Sequence, residues 1–187
     1  MRLFLALELP SAAAEEIAAA TAPLREAEPG LAWVPAHKLH LTLKFLGDGD
    51  DARAAALSQM LDRVAAQHRP FEMTLAGVGA FPNFRRPRVV WMGVDGDSRL
   101  ELLHHDVEIA AEQAGYELEG RPFRPHVTLA RVREPLPAER VRALARVARG
   151  IDHASTEYVD RLTLFDSVAG DSGAHYRRLH AATLGGR

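Results

Sequence analysis

Two short stretches of the chain read alike: His40-Leu41-Thr42-Leu43 and His126-Val127-Thr128-Leu129. With 9 His and 7 Thr in 187 residues, composition alone yields about 0.3 His-x-Thr triplets, so a single copy carries little weight. Two copies with aliphatic residues at the same two positions, 86 residues apart, are a signal of duplication. Residues i and i+2 of a strand share a face. His40 and Thr42 therefore face one way while Leu41 and Leu43 enter an apolar layer, and His126 and Thr128 stand in the same way against Val127 and Leu129. Brought together across a pseudo-twofold axis, the two strands line a cleft with two imidazoles and two hydroxyls. A neutral imidazole takes a proton from an attacking water, and an imidazolium gives one to a leaving oxygen. Threonine hydroxyls donate hydrogen bonds to non-bridging phosphate oxygens, where negative charge resides. An ordinary histidine pKa of about 6.5 keeps both protonation states within reach near neutrality. The constellation suits a phosphodiester.

The elements that must position these residues follow from periodicity and turn signals. Alternation predicts strands over 1–9, 40–45, 71–81 and 89–94, another starting at His126, and two last strands around 159–165 and 176–184. Helical spacing predicts helices over 11–27, 51–68, 97–113 and 137–149, the first ended by Pro29-Gly30. No glycine-rich βαβ loop is present, and the mixed order predicts an α+β fold with antiparallel sheets flanked by helices. The two halves share an element order, so the expectation is a duplicated architecture. No linker interrupts it, and residues 1–187 read as a single domain.

Composition excludes several classes. Cysteine is absent, which removes disulfide scaffolds, thiolate nucleophiles and cysteine-ligated metal sites. A metal site needs three or more convergent ligands, and neither motif histidine has an Asp, Glu or His partner at ligand spacing. No cofactor is expected. The net charge of −2 lacks the global basic field of a protein that coats long nucleic acid. No run of about 18 apolar residues predicts a membrane helix, and the expected location is the cytoplasm. No oligomer signal is present, so a monomer is the expected state.

Local counter-charge for a phosphate is available. Between residues 121 and 149 stand eight Arg against two Glu. Arg124, two residues before His126, shares its face and is a phosphate-binding candidate by geometry. Arg131 lies three residues after Thr128, on the opposite face of a regular strand, and reaches the cleft only where the strand twists, bulges or ends. Arg85-Arg86-Pro87-Arg88 forms a basic turn that could serve RNA or solubility equally. Trp33, Phe84 and Tyr176 are the aromatics that could stack on a base, with core packing the competing fate of each. Phe45 shares no face with His40 in a regular strand and reads as core.

At the paired motifs the sequence resembles the 2H phosphoesterases, and more closely their RNA 2′,3′-cyclic phosphodiesterase branch, also called 2′-5′ RNA ligase-like. The resemblance extends through Trp33-Val34-Pro35, His40 to Gly47, Phe123 to Arg131, the strand Arg2 to Leu7 and the segment Leu164-Phe165-Asp166-Ser167 with Gly173 and Tyr176. It implies a bilobal, pseudo-twofold α+β fold with the active-site cleft between lobes, and metal-independent opening of a 2′,3′-cyclic phosphate, on RNA ends or small nucleotides, to a 2′-phosphomonoester. It also implies His40 as proton donor, His126 as acceptor, and Arg131 as a phosphate ligand beside Thr42 and Thr128. The same site run in reverse is a 2′-5′ RNA ligase. A non-catalytic module that holds RNA ends is a competitor of another class, against which both intact His-Thr pairs stand.

Overall fold

The computed structural model describes residues 1–170 and 173–186. Its strands are β1 (Arg2–Glu8), β2 (Ala32–Trp33), β3 (His40–Asp48), β4 (Phe71–Phe81), β5 (Val89–Asp95), β6 (His126–Arg131), β7 (Ala154–Val159), β8 (Arg161–Val168) and β9 (His175–Thr183). The helices are α1 (Ser11–Ala20), α2 (Ala22–Ala27), α3 (Asp51–Ala65), α4 (Asp97–Gln113) and α5 (Ala138–Arg149), with a 3₁₀ turn at Ala36–Lys38. Asp50 caps α3 by accepting the Arg53 N–H at 2.8 Å. None of these helices is long and apolar enough to cross a membrane.

The strands run in the order β7-β4-β5-β6-β3-β1-β8-β9, with the short β2 also on β6. Every pairing is antiparallel. In the middle, β3 and β6 meet at one pair only, Leu41 opposite Val127. That seam divides the sheet into two lobes, each of four strands along this path, with β2 added to the one that holds β6. One face of both lobes is apolar and covered by helices: Leu3, Leu5, Leu7, Leu41 and Val127 pack with Ile17, Leu57, Leu61, Leu103 and Leu144 in one core. The other face stays open to carry the motif residues. The α+β, antiparallel, two-lobed architecture read from the sequence is what the chain adopts.

Three elements differ from the sequence reading. The first helix breaks at Thr21, because Pro23 lacks an N–H and its ring crowds the carbonyl four residues back. The segment read as one strand over 159–165 is a junction, where β7 ends at Val159 and β8 begins at Arg161. β7 pairs with β4 in one lobe and β8 with β1 in the other, so the chain changes lobe across Asp160 alone. The lobes consequently do not coincide with the sequence halves. One lobe takes β2 and β4 to β7, and the other takes β1, β3, β8 and β9.

A buried charge fastens the open loop before β6 to the back of β3. Lys44 Nζ donates to Glu108 Oε2 and to the Glu117 carbonyl, both at 2.8 Å, and Glu108 Oε2 also accepts the Glu119 N–H at 3.0 Å. Both side chains of the ion pair are less than a tenth exposed. Further along the same loop, Phe123 stacks face to face on His104 of α4, with ring centroids 3.7 Å apart. Removing one partner of a buried ion pair strands an uncompensated charge. Glu108→Ala is therefore expected to cost about 3–5 kcal/mol in urea unfolding, whereas Lys44→Met/Glu108→Leu costs far less. Equal losses in the single and double variants would contradict a desolvated pair.

Candidate active site

The seam between the lobes brings the two motifs together. In an antiparallel pair centred on Leu41 and Val127, the flanking positions place His40 opposite Thr128 and Thr42 opposite His126. Because Leu41 and Val127 point into the core, all four flanking side chains rise on the open face. The arrangement is a local twofold.

Both imidazoles are tethered in the same way. His40 Nδ1 donates to the Lys38 carbonyl and His126 Nδ1 to the Arg124 carbonyl, each at 2.7 Å. A carbonyl only accepts, so each Nδ1 carries a proton and each neutral ring presents the lone pair of Nε2. His40 Nε2 lies 3.0 Å from Thr42 Oγ1, whose hydroxyl donates to the neutral ring. His126 Nε2 makes no protein hydrogen bond among the described residues and is left to the cleft. Aromatic rings fix the outer sides: Phe4 and Tyr176 lie 5.2 Å from His40, and Phe81 meets His126 edge-on at 4.9 Å. Trp91 lies over Gly79, where any Cβ would collide with its ring.

Two β-bulges decide what else joins the site. On β3, Leu5 pairs with Lys44 and Ala6 with Thr42, which makes Leu43 an extra residue. On β6, Val90 pairs with Ala130 and Trp91 with Thr128, which makes Leu129 the extra one. A bulge shifts the alternation by one. Lys44 and Ala130 are buried directly after buried Leu43 and Leu129, and the fifth residue after each histidine turns onto the histidine face. On β6 that residue is Arg131; on β3 it is Phe45. The core placement read for Phe45 is thus corrected: its side chain is 70% exposed beside Phe4. Arg131 reaches the site by the bulge that a regular strand would not supply. Arg124 is exposed, and what it brings to His126 is its carbonyl.

The electrostatics agree with this placement. Burial is the main cause that lowers the His40 pKa; the Lys38 carbonyl raises it, the Arg131 and His126 charges lower it, and Glu8 raises it. Burial also leads in lowering the His126 pKa, opposed by the Arg124 carbonyl and assisted by Arg131. The Arg131 charge thus acts on both rings. Glu8 stands opposite His40 on β1 and is held by the Thr163 hydroxyl at 2.6 Å and by Arg178. Of the aromatics singled out as possible stackers, Trp33 is committed elsewhere, donating Nε1–H to the Glu28 carbonyl at 2.9 Å under Arg25. Phe84 packs against the core, and Tyr176 borders His40. Glu8 and Phe45 escaped the sequence reading. The signal that could have found Phe45 is its position five residues after His40, matching Arg131 five after His126.

The chain matches the model of the 2′-5′ RNA ligase superfamily over residues 9–171. It belongs to that family. An RNA 2′,3′-cyclic phosphodiesterase of Aquifex aeolicus is 31% identical over 156 residues, covering 82% of each chain. Among solved structures, a Thermus thermophilus protein superposes with a TM-score of 0.83 at 28% identity, over 100% of both chains. E. coli LigT complexed with 3′-AMP gives 0.76 at 28% identity, over 98% of this chain and 97% of that one. The family membership agrees with the resemblance carried by the paired motifs.

Both imidazoles are expected to titrate below the ordinary value in histidine NMR spectra. Arg131→Gln removes a positive neighbour from each ring and is expected to move both pKa values upward, while Arg124→Gln moves neither comparably. An Arg131 variant that shifted only one ring would contradict the shared placement.

Proposed function

We propose that the chain is a metal-independent phosphodiesterase that opens 2′,3′-cyclic phosphates on RNA ends or small nucleotides, acting as a cytoplasmic monomer. The observation that carries this reading is the matched pair of Nδ1-tethered imidazoles at the lobe seam, each followed two residues on by a threonine of the same face, with His40 Nε2 3.0 Å from Thr42 Oγ1. The names of the curated relatives point the same way.

The groups fall into complementary roles. His126, whose Nε2 makes no hydrogen bond and which has no carboxylate beside it among the described residues, takes a proton from water. That water oxygen bonds to phosphorus in line with O3′. The P–O3′ bond breaks, and O3′ takes the Nε2 proton of His40, leaving a 2′-phosphomonoester and a 3′-hydroxyl. Glu8 supports His40 as the acid, since its negative charge favours the imidazolium. The Thr42 and Thr128 hydroxyls and the Arg131 guanidinium face the charge that builds on the phosphorane oxygens. Arg124 remains a candidate for the outer phosphate. Phe45, exposed on the same face, offers a ring for the terminal base.

The test is an RNA oligonucleotide ending in 2′,3′-cyclic phosphate, incubated in EDTA with the 2′- and 3′-monophosphate products resolved. Conversion to the 2′-phosphate is expected, with His40→Ala and His126→Ala each reducing turnover about 10²–10⁴-fold without loss of fold. Near-full activity in either variant overturns the two-histidine assignment. Phe45→Ala is expected to raise KM about 10-fold with kcat little changed, the size of a base-stacking contact. The kcat/KM profile is expected to be bell-shaped and to peak on the acidic side of about pH 6.5, because burial lowers both imidazole pKa values in the free protein. Arg131→Gln should move its limbs to higher pH.

A further inference from the structure

We infer that the buried Lys44–Glu108 pair and the Phe123–His104 stack are positioning groups for His126: they hold the loop whose Arg124 carbonyl keeps the proton of that imidazole on Nδ1 and turns Nε2 to the cleft. This role rests on the phosphodiesterase reading above and assigns to the same site residues that lie behind the sheet and touch no substrate. The two imidazole tethers differ in what holds them. The Lys38 carbonyl, which accepts from His40 Nδ1, belongs to a 3₁₀ turn with its own hydrogen bonds. There the Lys38 N–H donates to the Pro35 carbonyl at 2.9 Å and the Leu39 N–H to the Ala36 carbonyl at 3.0 Å. The Arg124 carbonyl belongs to residues 117–125, which adopt neither helix nor strand. That segment has to be held from outside itself.

Three ties reach it from the core side of the sheet. Lys44 Nζ donates to the Glu117 carbonyl at 2.8 Å, and Glu108 Oε2 accepts the Glu119 N–H at 3.0 Å. The Phe123 ring lies on the His104 ring of α4, with centroids 3.7 Å apart and planes 6° from parallel. Arg124 follows Phe123 directly. On its other side Pro125 restricts Arg124 to extended backbone, and the Pro125 carbonyl accepts the Val94 N–H of β5 at 3.3 Å. The carbonyl that meets His126 is thus pinned between a stack on α4 and the end of β5.

The β3 bulge supplies the cation of this clamp. In a regular strand Lys44 would share the face of His40 and Thr42. The extra residue at Leu43 turns it into the core instead, against Glu108. An apolar pair of similar volume would fill that space without the cost of desolvating two charges. It would, however, leave the Glu117 carbonyl and the Glu119 N–H untied. Each charged partner takes one backbone group of the loop, so the ion pair does what an apolar pair cannot: it joins core side chains to loop backbone.

The experiment is nitrogen NMR of the two imidazoles in their neutral form, beside steady-state opening of adenosine 2′,3′-cyclic phosphate. In the wild type both His40 and His126 are expected as the Nδ1–H tautomer. Lys44→Met/Glu108→Leu, which keeps the core filled, is expected to move His126 to a mixture of tautomers while His40 stays as it was. The same variant should lower kcat about 10-fold with KM little changed, the size of a loosened positioning contact. Phe123→Leu, which loses the stack and stays apolar, is expected to move the His126 signals in the same direction. Leu144→Ala opens a cavity on α5, which packs on α2 and β4, and should lower stability without moving either imidazole. A wild-type His126 protonated on Nε2, a double variant with its His126 tautomer unchanged, or a tautomer change without loss of kcat overturns the positioning role. A wild type that opens no cyclic phosphate overturns the phosphodiesterase reading instead, and the spectra alone then decide the tether.

Discussion

The site depends on one backbone contact. β3 and β6 meet at the single pair Leu41–Val127, and everything on the open face is arranged about it. Antiparallel geometry sets His40 opposite Thr128 and Thr42 opposite His126 without further instruction. The two apolar side chains at the seam are fully buried, so sliding either strand by one residue would drive the histidines into the core. Burial of Leu41 and Val127 thereby holds the register of four polar side chains.

The second constraint is the bulge that each motif strand carries next. An extra residue at Leu43 and at Leu129 reverses the alternation, and five residues after each histidine a new side chain joins the site. The same device delivers different chemistry to the two lobes. One receives the guanidinium of Arg131, which acts on both imidazoles, and the other receives the exposed ring of Phe45. The twofold is thus kept in the backbone and broken in the side chains. Glu8 breaks it again: its charge acts on His40, and among the described residues no carboxylate acts on His126. The charges that act on the two imidazoles thus differ although their backbone settings match.

Much of this was legible in the chain. The alternation around His40 and His126 is local, and it identified both strands, the shared face of each His-Thr pair and the duplication. Helices α3, α4 and α5 follow from apolar periodicity and emerged close to their observed bounds. The regular-strand rule failed at Phe45 and Arg131 because a bulge is a property of two paired strands, and no residue type in either motif announces it. It failed again at Asp160, where two strands of different lobes join with one residue between them and read as a single run. Pro23 did carry its signal, and the break of the first helix was readable from it.

By itself, then, the sequence determined the paired motif, the apolar side of each strand and the chemistry of which two imidazoles and two hydroxyls are capable. Those follow from period-two alternation and side-chain type, which act within a few residues. Tertiary structure alone decided which strands are neighbours, where their pairing slips by one residue, and so which charges and rings surround each histidine. Such choices come from contacts between segments far apart in the chain, such as Leu41 with Val127 or Glu8 with Arg178, whose energies appear only when the core closes.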